Sequence, residues 1–210
     1  MTEVTRASLP DGRREALVRR GILLSYATIG YNSLEAVGSL IAGVLAGSVA
    51  LVGFGIDSVL EVLASGAAQW RLRSDLDPTK RERVELQTMR IIGLSFLALA
   101  VYILLDAART IWNREAPQRS LLGIIVLTLS VIVMPLLARS KKRVARELGS
   151  GALEAEATQT SLCAYLSGIA LVGVLLNGLL GWWWADPGAA LLMVPIIARE
   201  GLEGIRVSRQ

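Results

Sequence analysis

The stretch LLGIIVLTLSVIVMPLLA, residues 121–138, decides the fold class. It runs for eighteen residues without a charge, close to the roughly 20 apolar residues with which an α-helix crosses a hydrocarbon core about 30 Å thick. Residues 91–105 and 162–185 are equally free of charge. Hydrophobic residues make up 53 % of the 210-residue chain. That composition excludes a disordered chain, a secreted disulfide scaffold and a soluble enzyme together.

Working outward from these runs, polar hinges divide the chain into six apolar segments at about 21–46, 48–69, 84–108, 119–138, 157–183 and 186–207. Ala46-Gly47-Ser48 reads as a tight turn, 75–80 and 112–120 are polar stretches containing Pro78 and Pro117, and Asp186-Pro187-Gly188 would open the last helix. The expected fold is all-α, a six-helix transmembrane bundle (21–207) behind a cytoplasmic N-terminal segment (1–20), with no soluble domain after it. The sixth segment is the thinnest, because Ala189–Ala198 supplies only ten unbroken apolar residues.

Charge orients the bundle. The chain carries 22 Lys and Arg against 18 Asp and Glu, a net charge of +4, and its basic residues stand in short blocks beside the hydrophobic runs. That is a topology signal and not a phosphate-binding surface, so no nucleic-acid partner is expected. With the N-terminus in the cytoplasm, every Lys and Arg except Arg109, Arg114 and Arg119 falls on the inner side, and both termini are cytoplasmic. No small-residue cleavage site follows the arginines at 13–20, so the first segment is not a signal peptide. The expected location is the cell membrane, multi-pass, with the lipid bilayer as partner. Trp70, Trp112 and Trp182–Trp184 read as interface anchors. Gly43 and Gly47 form a Gly-x-x-x-Gly pair, suited to close helix packing or to a dimer seam.

The chain has no histidine and a single cysteine, Cys163. Imidazole ligands and His-based triads are therefore excluded. A metal site is left to carboxylate, amide, hydroxyl and thiolate groups. No nucleophile–base pairing appears at useful spacing, so an enzyme is not expected.

A carboxylate at the middle of a membrane helix costs about 2.5–3.5 kcal/mol on insertion scales. The second segment carries two. At about 1.5 Å per residue from Ser48, Asp57 lies roughly 14 Å deep. Glu61 is one turn further, on the same face. The fifth segment repeats the device: Asp57-Ser58-Val59-Leu60-Glu61 runs parallel to Gln159-Thr160-Ser161-Leu162-Cys163. If the two helices face each other, two carboxylates, an amide oxygen and a thiolate complete a four-coordinate metal site. Glu156, one turn towards the cytoplasm, suits an entry ligand. Asn32 and Glu35 share a face of the first segment, as a supporting polar cluster or part of a cation pathway. Glu200 and Glu203 lie near the cytoplasmic end of the last segment and read as solvated.

These residues, in this order, resemble the membrane domain of the cation diffusion facilitators. The resemblance rests on Asn32-Ser33-Leu34-Glu35, Gly43 through Ser48, Asp57-Ser58-Val59-Leu60-Glu61, the stretch from Gly188 to Gly201, and the six-segment topology. It implies a homodimeric metal–proton antiporter whose transport site lies on the second and fifth helices, at Asp57, Glu61, Gln159 and Cys163. The chain departs from the family pattern in lacking acids at 159 and 163 and a His-rich loop. It looks closer to zinc-exporting membrane proteins that lack the cytoplasmic domain. Cys163 favours Zn²⁺ over oxygen-seeking cations. Acids and thiols sunk in a low-dielectric medium favour their protonated forms, so a divalent cation displaces protons on binding, which is antiport chemistry. The cation is cargo; no resident cofactor is expected. The rival expectation is a non-transporting membrane partner with a degenerate site, motivated by Gln159 and Cys163.

Overall fold

The computed structural model describes residues 11–73, 78–148 and 151–207. All of its regular structure is helical: α1 (Asp11–Ala46), α2 (Val49–Arg73), α3 (Pro78–Asn113), α4 (Leu121–Leu148), α5 (Gly151–Leu180) and α6 (Ala185–Val207). The six segments expected from the sequence are these six helices. Several helices run on beyond the apolar stretch that marks them, because leaving the hydrocarbon does not itself end a helix. Thus α1 begins ten residues ahead of the apolar run, and within its polar extension Leu17 packs against Val144, Ala145 and Leu153.

The turns stop where the chemistry says they should. Gly47 closes α1 in the left-handed region at φ 63°, and the Ser48 and Gly47 amides donate to the Gly43 and Val44 carbonyls at 3.0 and 3.4 Å, the Schellman pattern. Ser48 then caps α2 through its hydroxyl, which accepts from the Leu51 amide at 3.1 Å. Gly181, at φ 69°, ends α5 at Leu180, so Trp182 and Trp183 belong to the turn and not to the helix. Trp182 stacks on Trp184 with ring centroids 5.4 Å apart. The Trp70 side chain lies outside the described residues.

The exterior is greasy, and polar groups are set among the apolar core residues of the interior. Along α1 the buried stripe runs Ser25, Thr28, Asn32, Ser39, Ala42 and Ala46, while Leu34, Val44 and Leu45 are more than 70 % exposed. A water-soluble helix shows the opposite arrangement. Among the described residues five helices, α1 to α5, are long and apolar enough to cross a membrane; the 23 residues of α6 span about 35 Å.

Packing places α2 and α5 against each other at the centre, with α1 and α4 together on one side and α3 and α6 on the other. Glycines set the closest approaches. A Cβ at Gly43 would stand 2.8 Å from the Val52 amide nitrogen, so this glycine packs α1 on α2 within the chain and its face is not free for a dimer seam. Gly93 of α3 and Gly201 of α6 meet backbone to backbone, a Cβ on either standing 2.7–2.8 Å from the other's carbonyl oxygen. At the opposite end Asp186 of α6 accepts from the Ser48 hydroxyl and, at 3.0 Å, from the Val49 amide, placing a carboxylate at the positive end of the α2 dipole. The first residues of α1 and the last of α6 share one end of the bundle.

Overpacking a backbone contact costs about 1–3 kcal/mol. Gly93→Ala should therefore lower the melting temperature in detergent, whereas Gly30→Ala, with nothing within 4 Å of its added carbon, should leave it unchanged.

Candidate metal centre

The site forms where α2, α5 and α6 converge. Asp57 and Glu61 project from α2, buried to within 5 % and 2 % of full occlusion. The i, i+4 spacing holds them on one face. Cys163, equally buried, and half-buried Gln159 come from the same face of α5. These four side chains line one cavity, closed by Phe96, Leu162, Leu166, Ile196 and Ile197. Its volume is about 10 Å³, room for one water-sized body and too little for an organic solute.

A fifth polar group, Glu200 of α6, lines the same cavity. The expectation that Glu200 is solvated is thus corrected: it is half-buried, while Glu203 is exposed. The signal was present in the helical period, since Ala190, Met193, Ile197 and Gly201 form the buried stripe of α6 and Glu200 lies beside its end. Its nearness to the polar terminus masked that.

Both carboxylate oxygens of Glu61 are buried with no hydrogen-bond partner among the described residues. Asn32, Thr160 and Cys163 are its polar surroundings, together with the charge of Lys141. Asn32 is itself fully buried, with both amide atoms unpartnered among the described residues. Glu35 accepts from Ser58 at 3.2 Å and lies 4.0 Å from the Cys163 sulfur, so α1 supplies the polar backing of the site. Among the described residues no three Asp, Glu or Cys side chains are arranged to hold an ion outright. The donors line the cavity without closing into a coordination sphere.

Sequence reasoning missed Lys141. Counted there with the basic block at the end of α4, it is completely buried. Its ammonium donates to Glu156 Oε1 at 2.9 Å and to Thr160 Oγ1 at 3.1 Å. The Ser25 hydroxyl donates to Glu156 Oε2 at 3.1 Å. The carboxylate expected as an entry ligand is therefore occupied by a lysine and a serine. Here too the period held the signal: Leu127, Ser130, Met134, Ala138, Lys141 and Ala145 are one buried stripe of α4.

A helical bundle with an apolar exterior and long apolar helices defines a multi-pass membrane protein, here with acids lining a small internal cavity. The chain belongs to the cation efflux family, whose transmembrane domain matches residues 25–210. It is 27 % identical over 174 residues to the magnetosome protein MamB of Paramagnetospirillum magneticum, covering 80 % of this chain and 58 % of that protein. A second MamB, from Magnetospirillum gryphiswaldense, is 27 % identical over 169 residues, or 78 % of this chain and 57 % of the relative. The chain thus spans less than three fifths of the length of these relatives.

Removing one partner of a buried ion pair costs about 3–5 kcal/mol, because the other charge is left uncompensated. Lys141→Met should therefore destabilise the protein strongly in a detergent melt, and Lys141→Met combined with Glu156→Gln should recover most of the loss.

Proposed function

We propose that this protein exports a divalent metal cation, Zn²⁺ by its donor set, in exchange for protons. The cation binds between α2 and α5. Asp57 and Glu61 supply charged oxygens, Gln159 a neutral oxygen and Cys163 a thiolate, while Glu200 contributes from α6 at the cytoplasmic side of the cavity. The observation that carries this reading is the Glu61 carboxylate, fully enclosed beside Asp57 with neither oxygen partnered among the described residues. A buried acid without a partner is costly, and a cation is the guest that offsets it. The cavity's size agrees, since it suits a single ion. Membership of a family of cation efflux domains supports the same direction and argues against an enzyme.

Four donors that must close around an ion would draw α2 and α5 together, and protons on the acids would let them part. Alternating access then follows from movement of helices about a fixed site. The donors' open arrangement, and an amide and a thiol in place of acids on α5, favour one rival, a membrane partner that carries no cargo. Calorimetric titration separates the two, a protein that takes up neither Zn²⁺, Mn²⁺ nor Co²⁺ being the partner.

In proteoliposomes loaded with a zinc-sensitive dye, Asp57→Ala should abolish flux, and a rate equal to the parent's would end the proposal. Cys163→Ser replaces a soft donor by a hard one. It should lower Zn²⁺ flux relative to Mn²⁺ flux.

A further inference from the structure

The outward face of α4 changes character along a single stripe. Leu122, Ile125, Leu129, Ile132 and Leu136 are exposed on it, and the same helical period carries the stripe on to Arg139, Arg143 and Arg146, all exposed. The outward face of α1 meets its basic residues in the same way. Leu23 is 68 % exposed, and one turn before it stand Arg19 and Arg20, also exposed. Helices α1 and α4 pack side by side here. Leu17 lies against Val144 and Ala145, and a Cβ at Gly21 would stand 3.7 Å from Val144, so Arg20 and Arg143 share one level of the bundle. Two basic blocks far apart in the chain become one surface.

The protein does not offset the repulsion within that surface. Among the described residues Arg13 pairs with Glu147 at 3.4 Å and Lys141 with Glu156 at 2.9 Å, while no carboxylate stands within ion-pair distance of Arg20, Arg139 or Arg143. Arg139 and Arg143, at i and i+4, repel each other. The negative end of the α4 dipole reaches Arg146 in the last turn and fades before the other two. Basic residues serve topology on any face of a helix. These continue the apolar stripes, at the level where acyl chains give way to phosphates.

We propose that this surface binds the headgroup of an anionic phospholipid, its phosphate against Arg20, Arg139 and Arg143 and its acyl chains along the apolar stripe of α4. Basic clusters flanking membrane helices attract anionic lipids, each cation adding about a fivefold preference. The lipid supplies the counter-charge that the chain leaves out and ties α1 to α4 from outside. This surface is separate from the cavity and needs no metal there.

The test uses the full chain, free of metal, in phosphatidylcholine vesicles with a trace of chain-spin-labelled phosphatidylglycerol or phosphatidylcholine. Electron paramagnetic resonance reads the motionally restricted share of each label. The parent should prefer phosphatidylglycerol, and R139Q with R143Q should lower that preference by about fivefold or more. R139K with R143K, which keeps both charges, should retain most of it. R199Q with R206Q removes two exposed cations of α6 and should leave the preference as it was. A parent without preference, a preference unchanged in R139Q with R143Q, or an equal loss in R199Q with R206Q overturns the proposal. If R139Q with R143Q does not fold, R20Q with R143Q takes its place. Inorganic phosphate in excess, at constant ionic strength, should not displace the labelled lipid; displacement would make the surface a free-anion site and overturn the lipid assignment.

Discussion

Everything in this bundle is subordinate to the cost of keeping acidic groups out of water. Asp57 and Glu61 are almost wholly withdrawn from solvent where they stand, and at low dielectric each needs compensation from a hydrogen bond, an opposite charge or a guest. The chain answers most plainly in α1, which is turned inside out. Two serines, a threonine and an asparagine line the inner stripe of α1; Thr28 closes a hydrogen bond to the Leu24 carbonyl of its own helix, as Thr160 of α5 does to that of Glu156. The small side chains leave room for helices to approach, and their hydroxyls supply polarity without charge.

Two kinds of fastening hold this interior in register. Glycines bring backbones into contact at Gly43 with Val52 and at Gly93 with Gly201, fixing α1 on α2 and α3 on α6 by shape. Polar ties cross the ends: Asp186 reaches from α6 to the start of α2, and Asn177 of α5 donates to the Pro117 carbonyl at 2.8 Å. With no water in the hydrocarbon to drive association, van der Waals fit and such interhelical bonds do the work that hydrophobic burial does in soluble proteins. The result places α2, α5 and α6 around one small cavity with little freedom in where its donors stand.

The fold was legible because bilayer thickness writes itself into composition. Charge-free runs, a glycine turn at 47 and an Asp-Pro-Gly opening at 186 located the helices. Helix ends were less legible, since α1 and α4 continue as ordinary helices past the lipid boundary that the hydropathy marks. For the candidate site, the spacing of Asp57 with Glu61 and of Gln159 with Cys163 put each pair on one face, and the structure brings the two faces to one cavity. Glu200 and Lys141 were hidden for a common reason. Each lies close to a polar terminus, where charge is cheap, so its position on a buried stripe carried less weight than its chemistry. Which helices pack together is a tertiary fact, and the pairing of Lys141 with Glu156 could be read only once α4 stood beside α5.

The inverted amphipathicity of α1 also governs where this protein can change. A wall facing lipid answers to a single demand, that it be greasy, and Leu34, Val37, Ile41, Val44 and Leu45 can trade identities among aliphatic residues with almost no penalty. The inner stripe answers to volume, polarity and hydrogen bonding at once. Sequence drift in such a molecule is therefore channelled to its perimeter, leaving the shape and polarity of its centre as the slowest clock it has.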